Sequence, residues 1–174
     1  MDNNKPLVNR VAASGLITIN LEDFFPSEEV VIFDIKDYLY MELILKEKDF
    51  RAALKAHDWE QYQDKQLLVY CSTDAIVPVW AFMLVTAYAT PYTKSIFNGE
   101  ASAFYQQAFN TALADFKGNE YEGKRIVIKG CSNKPVPVSA YVELTKLLQP
   151  FAQSIMYGEP CSTVPIFKRP RKLK

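Results

Sequence analysis

The order of apolar and polar residues predicts two strands and a helix within residues 1–60. The segment ASGLITINLEDF has the apolar spacing of an extended chain, and the continuous apolar run VVIFDI is typical of a buried strand. Apolar residues then recur at helical spacing from Phe50 to His57. This pattern predicts a helix over about residues 47–57.

The remainder of the chain contains one pattern twice. Residues 62–100 align with residues 121–159 when one gap is placed before the cysteine and one after it. Cys71 then aligns with Cys131, and twelve of the 29 aligned pairs from the cysteine onward are identical. This degree of identity indicates an internal duplication, with a period too long for the repeat of a solenoid.

Each copy is predicted to contain a strand, a cysteine-bearing loop, a helix and a second strand. The segments QLLVYC and RIVIKGC predict the first strands, and KSIFNG and QSIMYG predict the second ones. Helices are expected over residues 77–89, 138–148 and 103–116. Pro78 and Pro137 are expected just inside two of them, behind capping side chains. Because a strand, a crossover helix and a strand form a parallel unit, the sequence predicts an α/β fold with a mostly parallel or mixed sheet.

Length and composition indicate one globular domain over residues 1–174, with 49% hydrophobic residues. The 20 basic and 20 acidic residues balance, which gives no argument for binding nucleic acid or an anionic membrane. No apolar run is long enough to span a bilayer, and the polar N-terminus lacks a signal-peptide core, so we expect a cytoplasmic protein with reduced cysteines. Residues 168–174, KRPRKLK, form a basic tail, expected to be a frayed and soluble terminus.

The three cysteines share a local pattern that favours a metal site. Cys71, Cys131 and Cys161 each follow a strand or a turn and precede a serine. The carboxyl edge of a parallel sheet is where ligands bind. Three thiolates suit zinc with one further ligand, or an iron–sulfur cluster with one open iron. His57, the single histidine, is the expected fourth ligand, with Asp34 and Asp58 as weaker alternatives.

Two other interpretations remain open from the residues alone. The cysteines can be small buried packing residues of a non-catalytic interaction protein, since unpaired cysteine is among the most buried residue types. One of them can instead be a reactive thiol of an enzyme, activated at a helix N-terminus with His57 as base. The sequence has no phosphate-binding loop, dinucleotide fingerprint or zinc-protease motif, and it leaves the oligomeric state open.

Five segments of the chain resemble an uncharacterised bacterial family, domain of unknown function 2480. These segments are ASGLITINLEDFFP, LILKEKDFR, HDWEQYQDK, GCSNKPVPVSAYVELT and SIMYGEPCSTVPIFKR. The resemblance covers about residues 8–168, and the cysteine-bearing segments are its most specific part. Genes of this family often lie near genes of sulfur-mobilisation iron–sulfur assembly. The resemblance therefore implies a role in iron–sulfur metabolism, with assembly proteins as partners, and favours a cluster over zinc.

Overall fold

A computed structural model describes residues 15–130 and 133–170. Seven strands lie in these residues: β1 (Leu16–Asn20), β2 (Val30–Asp34), β3 (Gln66–Tyr70), β4 (Ser95–Asn98), β5 (Arg125–Lys129), β6 (Ser154–Glu159) and β7 (Ser162–Lys168). The described α-helices are α1 (Glu47–Ala56), α2 (Val79–Ala89), α3 (Ala101–Leu113) and α4 (Val138–Leu148). The α/β class predicted from the sequence is confirmed, and none of the described helices is long and apolar enough to cross a membrane.

The described chain divides into two compact units, each with its own sheet and core. Unit 1 is formed by residues 15–25, 105–130 and 133–170, and unit 2 by residues 26–104. The prediction of a single domain over the whole chain stays a prediction.

Unit 1 has a four-stranded sheet in the order β1-β5-β6-β7. The pairs β1–β5 and β5–β6 are parallel, whereas β7 runs antiparallel to β6 at the edge. The sheet is therefore mixed, as the sequence predicted. Apolar side chains of α4 pack on one face of the sheet, and the buried set comprises Ala140, Leu144 and Leu148 with Ile126, Ile128 and Ile155.

Unit 2 has a three-stranded parallel sheet in the order β2-β3-β4. Helices α1 and α2 connect these strands, which gives two successive strand–helix–strand crossovers. Both helices contribute to one core cluster with the sheet, and its fully buried members include Phe50, Leu54, Leu67, Ala81 and Val85. Aromatic rings complete this core, with Trp59 stacked between Phe33 and Tyr88 and bonded through its indole N–H to the carbonyl of Leu54.

The two units share one order of elements: strand, 3₁₀ turn, α-helix, 3₁₀ turn, strand, α-helix, strand. In unit 1 the first α-helix of this order is α3, which begins in unit 2. Aligned residues of the two units also make the same hydrogen bond. The backbone N–H of Asp64 donates to the carbonyl of Tyr92 in unit 2, and that of Gly123 donates to the carbonyl of Phe151 in unit 1, each at 3.0 Å. The sequence repeat covered only the second part of this order. The duplication itself stays a prediction, and the shared order is what a duplication leads one to expect.

Helix α2 begins two residues later than predicted, at residue 79 rather than 77, whereas α4 begins at residue 138 as predicted. Pro78 and Pro137 have extended backbone angles and precede the first helical residue, rather than lying inside the helix. Neither start has a side-chain cap; instead the proline carbonyls accept hydrogen bonds from Ala81 and Ala140. The predicted capping by side-chain oxygens is therefore wrong at the start of α2, where a proline without an N–H leaves one donor fewer to satisfy. For α4 the prediction included Ser132, which lies outside the described residues, so there it stays a prediction.

The C-terminal region folds further than the sequence suggested. Lys168 belongs to β7, which was not predicted, and Arg169 donates to the carbonyls of Gln149, Pro150 and Ala152. These bonds hold Arg169 at the C-terminal end of α4. The prediction of a frayed tail is therefore wrong for Lys168 and Arg169, whereas residues 171–174 lie outside the described residues.

Candidate functional site

Cys71 stands directly after β3 in unit 2. It is half-buried and packs against the core of that unit. The following residue, Ser72, donates its backbone N–H to Asp34 Oδ1 at 3.0 Å, and Lys36 donates its own N–H to the same oxygen at 3.0 Å. Because Asp34 ends the neighbouring strand β2, one carboxylate fixes both the turn after β2 and the loop that carries Cys71.

The hydrogen bonds decide the ionisation of Asp34. Burial on its own favours the neutral acid, but the side chain and backbone of Ser72 and the backbone of Lys36 donate to the carboxylate. Their combined effect lowers the pKa of Asp34 below its ordinary value. Asp34 is therefore a charged anchor for the Cys71 loop at neutral pH.

Unit 1 has a related junction after β5. Cys131 lies outside the described residues, but the loop is described again from Asn133. The backbone N–H of Asn133 donates to Glu22 Oε1 at 2.9 Å, and Lys134 Nζ lies 3.3 Å from the carbonyl of Glu22. A carboxylate that follows the neighbouring strand β1 thus holds this loop, as Asp34 holds the loop in unit 2.

Gly130, the residue before Cys131, is required by a close approach of the backbone. Its φ of 147° is in the region that favours glycine, and a Cβ placed there would lie 2.8 Å from Leu21 Cβ. The first repeat has no residue at this alignment position, because Cys71 follows Tyr70 directly. The glycine therefore allows β5 to pass close to the turn that follows β1.

Cys161 lies in the turn between β6 and β7 and is exposed. Gly158 of β6 has φ of 117° and pairs with Thr163, the second residue of β7. A Cβ placed on Gly158 would lie only 2.6 Å from the carbonyl oxygen of Ser162. The thiol thus sits on a tight antiparallel connection. The sequence predicted a turn at this position, but it did not predict the strand that follows.

His57 is held between two tyrosines at the end of α1. Its Nδ1 lies 3.2 Å from the Tyr38 hydroxyl and its Nε2 lies 2.9 Å from the Tyr62 hydroxyl. The Gln61 side-chain amide also approaches Nε2, at 3.3 Å, and donates to the carbonyl of Asp58. Since an amide N–H can only donate, Nε2 is the acceptor and Nδ1 carries the proton. Both ring nitrogens are thereby engaged, and the ring has no lone pair available for a metal in this conformation.

Burial also favours the neutral histidine. It lowers the pKa of His57 below its ordinary value, although the nearby Asp58 carboxylate acts in the opposite direction. Burial likewise raises the pKa of Tyr62 to about 12, with smaller effects of Tyr38 and Asp58, so Tyr62 remains a hydroxyl donor at neutral pH. His57 as a fourth metal ligand stays a prediction, and its present contacts are those of a packed and hydrogen-bonded residue.

Within the part of the chain that the structure describes, no three His, Cys, Asp or Glu side chains are grouped so that they could hold a metal ion. This finding does not include Cys131. The three-cysteine site therefore stays a prediction. The structure does establish that Cys71 follows a strand of a parallel sheet and that Cys161 is exposed at a turn.

An apolar groove in unit 1 was not predicted from the sequence. It lies between α4 and the β6–β7 hairpin, has a volume of about 490 Å³, and is lined by Ile128, Val138, Tyr141, Val142, Tyr157 and Ile166. We call it the α4–β7 groove. Val138 is 78% exposed and Val142 62% exposed, although both are aliphatic. The signal in the sequence was the apolar i, i+4 pair on the face of α4 opposite its buried residues.

Unit 2 shows a similar feature on α2. This helix, VWAFMLVTAYA, has no charged residue, and its Val79 and Met83 are 75% and 67% exposed. They align with Val138 and Val142 of α4 in the sequence repeat. An α-helix that is apolar on all sides is typical of a buried position, so an uncovered apolar face on α2 indicates a contact surface.

Comparison with known proteins gives one result. A family model described as "Protein of unknown function (DUF2480)" matches residues 5–169. No curated protein and no solved structure matches the chain. The matched segment includes all three cysteines, His57 and both repeat copies. The chain therefore belongs to the DUF2480 family.

Proposed function

We propose that this protein binds a metal ion, or more specifically an iron–sulfur cluster, through the thiolates of Cys71, Cys131 and Cys161. The observation that supports this best is the shared junction: in each unit a carboxylate accepts a backbone N–H just after a strand-end cysteine. Asp34 does this for Ser72, and Glu22 does it for Asn133. A loop anchored in this way, as after β3, holds the thiol of Cys71 with little loss of entropy on binding.

The donor set fits soft metals. Thiolates select zinc and iron–sulfur clusters over hard cations such as Mg²⁺ and Ca²⁺. Because both nitrogens of His57 are hydrogen-bonded, the proposal rests on the three cysteines. A cluster with three protein ligands leaves one iron open for a further ligand, whereas zinc takes a fourth one. The thiolate ligands, together with the role in iron–sulfur metabolism that the family resemblance implies, favour a cytoplasmic accessory factor that works with iron–sulfur assembly proteins.

The test is anaerobic purification followed by iron, zinc and acid-labile sulfide analysis of the full chain. We expect brown protein with absorbance near 400 nm for a cluster, or colourless protein with stoichiometric zinc for a single metal ion. Replacing any one of the cysteines by serine should reduce the metal content at least about tenfold. Ser162→Ala, next to Cys161, is the matched control and should retain the metal. Wild-type protein without metal or sulfide, purified without oxygen, contradicts the proposal.

A second candidate is a non-catalytic interaction protein in which Cys71 is a packing residue, whereas Cys161 is exposed and the predicted packing role is wrong for it. The α4–β7 groove supports it, since contiguous exposed apolar surface marks interaction sites. The half-burial of Cys71 against the core of unit 2 agrees with a packing role for that residue. This candidate predicts that Cys71→Ala changes neither metal content nor binding to a partner.

Alkylation separates the two candidates. In protein purified without oxygen, a bound metal protects all three thiols from iodoacetamide, and a chelator or mild oxidation exposes them together. A packing role instead gives independent rates, fast for the exposed Cys161 and slow for the half-buried Cys71. Mass spectrometry of each cysteine peptide, with and without chelator, decides between the two patterns.

A further inference from the structure

A second cavity of unit 1 differs from the α4–β7 groove in its charge. It lies beside the first residues of β5 and β6 and the end of β7, and its volume is about 540 Å³. We call it the β5–β7 cavity. Two of its lining side chains are basic, and none of the described residues that line it is acidic. The lining includes Arg125, Ser154 and Lys168, with Met156, Pro165 and Phe167.

The strand register places the three polar residues of this cavity in one row. Arg125 of β5 pairs with Ser154 of β6, and Ser154 pairs with Lys168 of β7. Since paired residues of neighbouring strands share one face of a sheet, a guanidinium, a hydroxyl and an ammonium lie side by side. Neighbouring strands are about 4.8 Å apart, so the two basic residues start about 10 Å from each other, with Ser154 between them.

A bulge in β7 adds an apolar wall on the same face. The register of β6 and β7 shifts by one residue between Ile155 and Met156. Strict alternation would place Pro165 and Lys168 on opposite faces of the sheet, because they are three positions apart. The shift lets Pro165 pair with Met156 while Lys168 pairs with Ser154, and these two partners lie on one face of β6. The bulge therefore brings an apolar side chain and a cation to one side of the cavity.

Hydrogen bonds fix the backbone that carries Lys168. The N–H of Arg169 donates to the carbonyl of Gln153 at 2.9 Å, and the Gln153 side-chain amide donates to the carbonyl of Arg169 at 3.0 Å. Lys168 thus lies between its sheet pairing and this double bond. Within the part of the chain that the structure describes, it is in no ion pair. A cation on a fixed backbone loses less entropy when it binds an anion.

We propose that the β5–β7 cavity binds a small organic phosphate monoester, with its phosphate above Ser154 and between Arg125 and Lys168. A phosphate monoester has a charge of about −1.5 to −2 at pH 7, which the two cations match, whereas a carboxylate has a single charge. The spacing leaves room for one phosphate group with a charge-assisted hydrogen bond of about 2.8 Å on each side. Arginine has several N–H donors, so it can bind a phosphate and keep other partners.

The size and the apolar wall of the cavity indicate that the ligand has an organic part. Small-molecule sites have volumes of about 300 to 1,000 Å³, and a bare phosphate ion would fill only a small part of this one. Met156, Pro165 and Phe167 offer contacts for a ring or another apolar group. A nucleic acid is a poor match, because it needs a long stripe of cations and this chain has a net charge of zero.

This inference goes beyond the metal proposal and is independent of it, because no cysteine is among the described residues that line the cavity. The test is isothermal titration calorimetry of the full chain with adenosine monophosphate and with phenyl phosphate. Adenosine and inorganic phosphate serve as comparisons. We expect saturable binding of both monoesters, weaker binding of inorganic phosphate and none of adenosine. The affinity for the monoesters should fall as the ionic strength rises, since the contact is between opposite charges.

Two substitutions test the cations of the row. Lys168→Gln and Arg125→Gln should each raise the dissociation constant for adenosine monophosphate at least about tenfold, because one charge-assisted hydrogen bond is lost. Lys124→Gln is the matched control. It removes the same charge from an exposed residue next to Arg125 that is not part of the lining, so it should change the dissociation constant less than about twofold. Circular dichroism and thermal unfolding check that each variant folds.

A measurement on wild type needs no substitution. In NMR spectra, added adenosine monophosphate should shift the amide signals of Ser154 and Met156, while added adenosine leaves them unchanged. Three results would overturn the proposal: a wild type that binds neither monoester, adenosine that binds as tightly as its monophosphate, or equal losses in Lys124→Gln and Lys168→Gln, which would mean ionic attraction only. Inorganic phosphate that binds as tightly as the monoesters would overturn the role of the apolar wall.

Discussion

Asp34 and Ser72, 38 positions apart in the chain, are joined by a hydrogen bond of 3.0 Å from the backbone N–H of Ser72 to the Asp34 carboxylate. The bond links the ends of the neighbouring parallel strands β2 and β3 and fixes the residue that follows Cys71. It is the contact through which the fold controls the position of this thiol.

Removing the Asp34 side chain should loosen this loop. We expect Asp34→Ala to lower the free energy of unfolding by about 1 kcal/mol, because the charge-assisted hydrogen bonds from Ser72 and Lys36 are lost at a partly exposed site. The alkylation rate of Cys71 should rise several-fold. Urea unfolding and peptide mass spectrometry measure the two effects. Asp74→Ala, at an exposed position of the same loop, should leave both unchanged; equal effects of the two substitutions would show that the anchor is not specific.

The same carboxylate should make stability depend on acidic pH. The pKa of Asp34 is lower in the folded protein than its ordinary value of 3.8, so its stabilising effect is full above that value and is lost as the pH falls through the folded pKa. We expect the difference in stability between wild type and Asp34→Asn to shrink as the pH falls below about 4. Urea titrations at several pH values measure it. A difference that does not change with pH would contradict the ionised anchor.

His57 should act in a higher pH range. Its folded pKa is lowered by burial, so the unfolded chain binds a proton more readily and stability falls as the pH drops below 6.5. Because His57 is the single histidine of the chain, its imidazole proton signal can be assigned without ambiguity. We expect an NMR titration midpoint below 6.5, and a flatter stability profile for His57→Gln between about pH 7 and pH 5. A midpoint above 6.5 would mean that the Asp58 carboxylate outweighs burial.

Two aligned positions before the central strands should respond differently to substitution. Gly123 has φ of 67° and open space where a Cβ would lie, so Gly123→Ala should cost about 1 kcal/mol from backbone strain alone. Asp64 adopts the same conformation, with φ of 59°, and Asp64→Gly should change stability by no more than about 0.5 kcal/mol, since relief of strain offsets the greater freedom of the unfolded chain. Urea unfolding of both variants measures the asymmetry. Strong destabilisation by Asp64→Gly would indicate that its side chain holds the turn.

Arg169 should stabilise the end of α4. Its guanidinium donates to the carbonyls of Gln149 and Pro150 at 3.0 and 2.7 Å, and to that of Ala152 at 3.3 Å. We expect Arg169→Ala to lower the unfolding free energy by about 1 to 2 kcal/mol, and Arg169→Lys to recover only part of it, because lysine lacks the planar fork. Thermal unfolding tests this. Lys168→Ala, one residue earlier and exposed, is the control.

Local sequence determined the central elements of the fold. The apolar runs VVIFD, QLLVY and RIVIK became β2, β3 and β5, and helical spacing located α1, α2 and α4 to within two residues. These elements depend on periodicity and propensity, which act over a few residues. β7 was missed because its proline and its exposed residues do not resemble a strand. It exists because β6 offers an edge with which it can pair.

The sequence by itself predicted that a strand–loop–helix–strand pattern occurs twice, with Cys71 and Cys131 expected at the strand ends, and the structure places Cys71 directly after β3. Tertiary structure alone decided which groups meet there. Asp34 reaches Ser72, and Glu22 reaches Asn133, because parallel pairing aligns the carboxyl ends of strands that are distant in the chain. It likewise placed His57 between Tyr38 and Tyr62, where hydrogen bonds occupy both of its nitrogens. Periodicity reports which face of an element is apolar, and only packing determines which apolar face remains uncovered, as on α4.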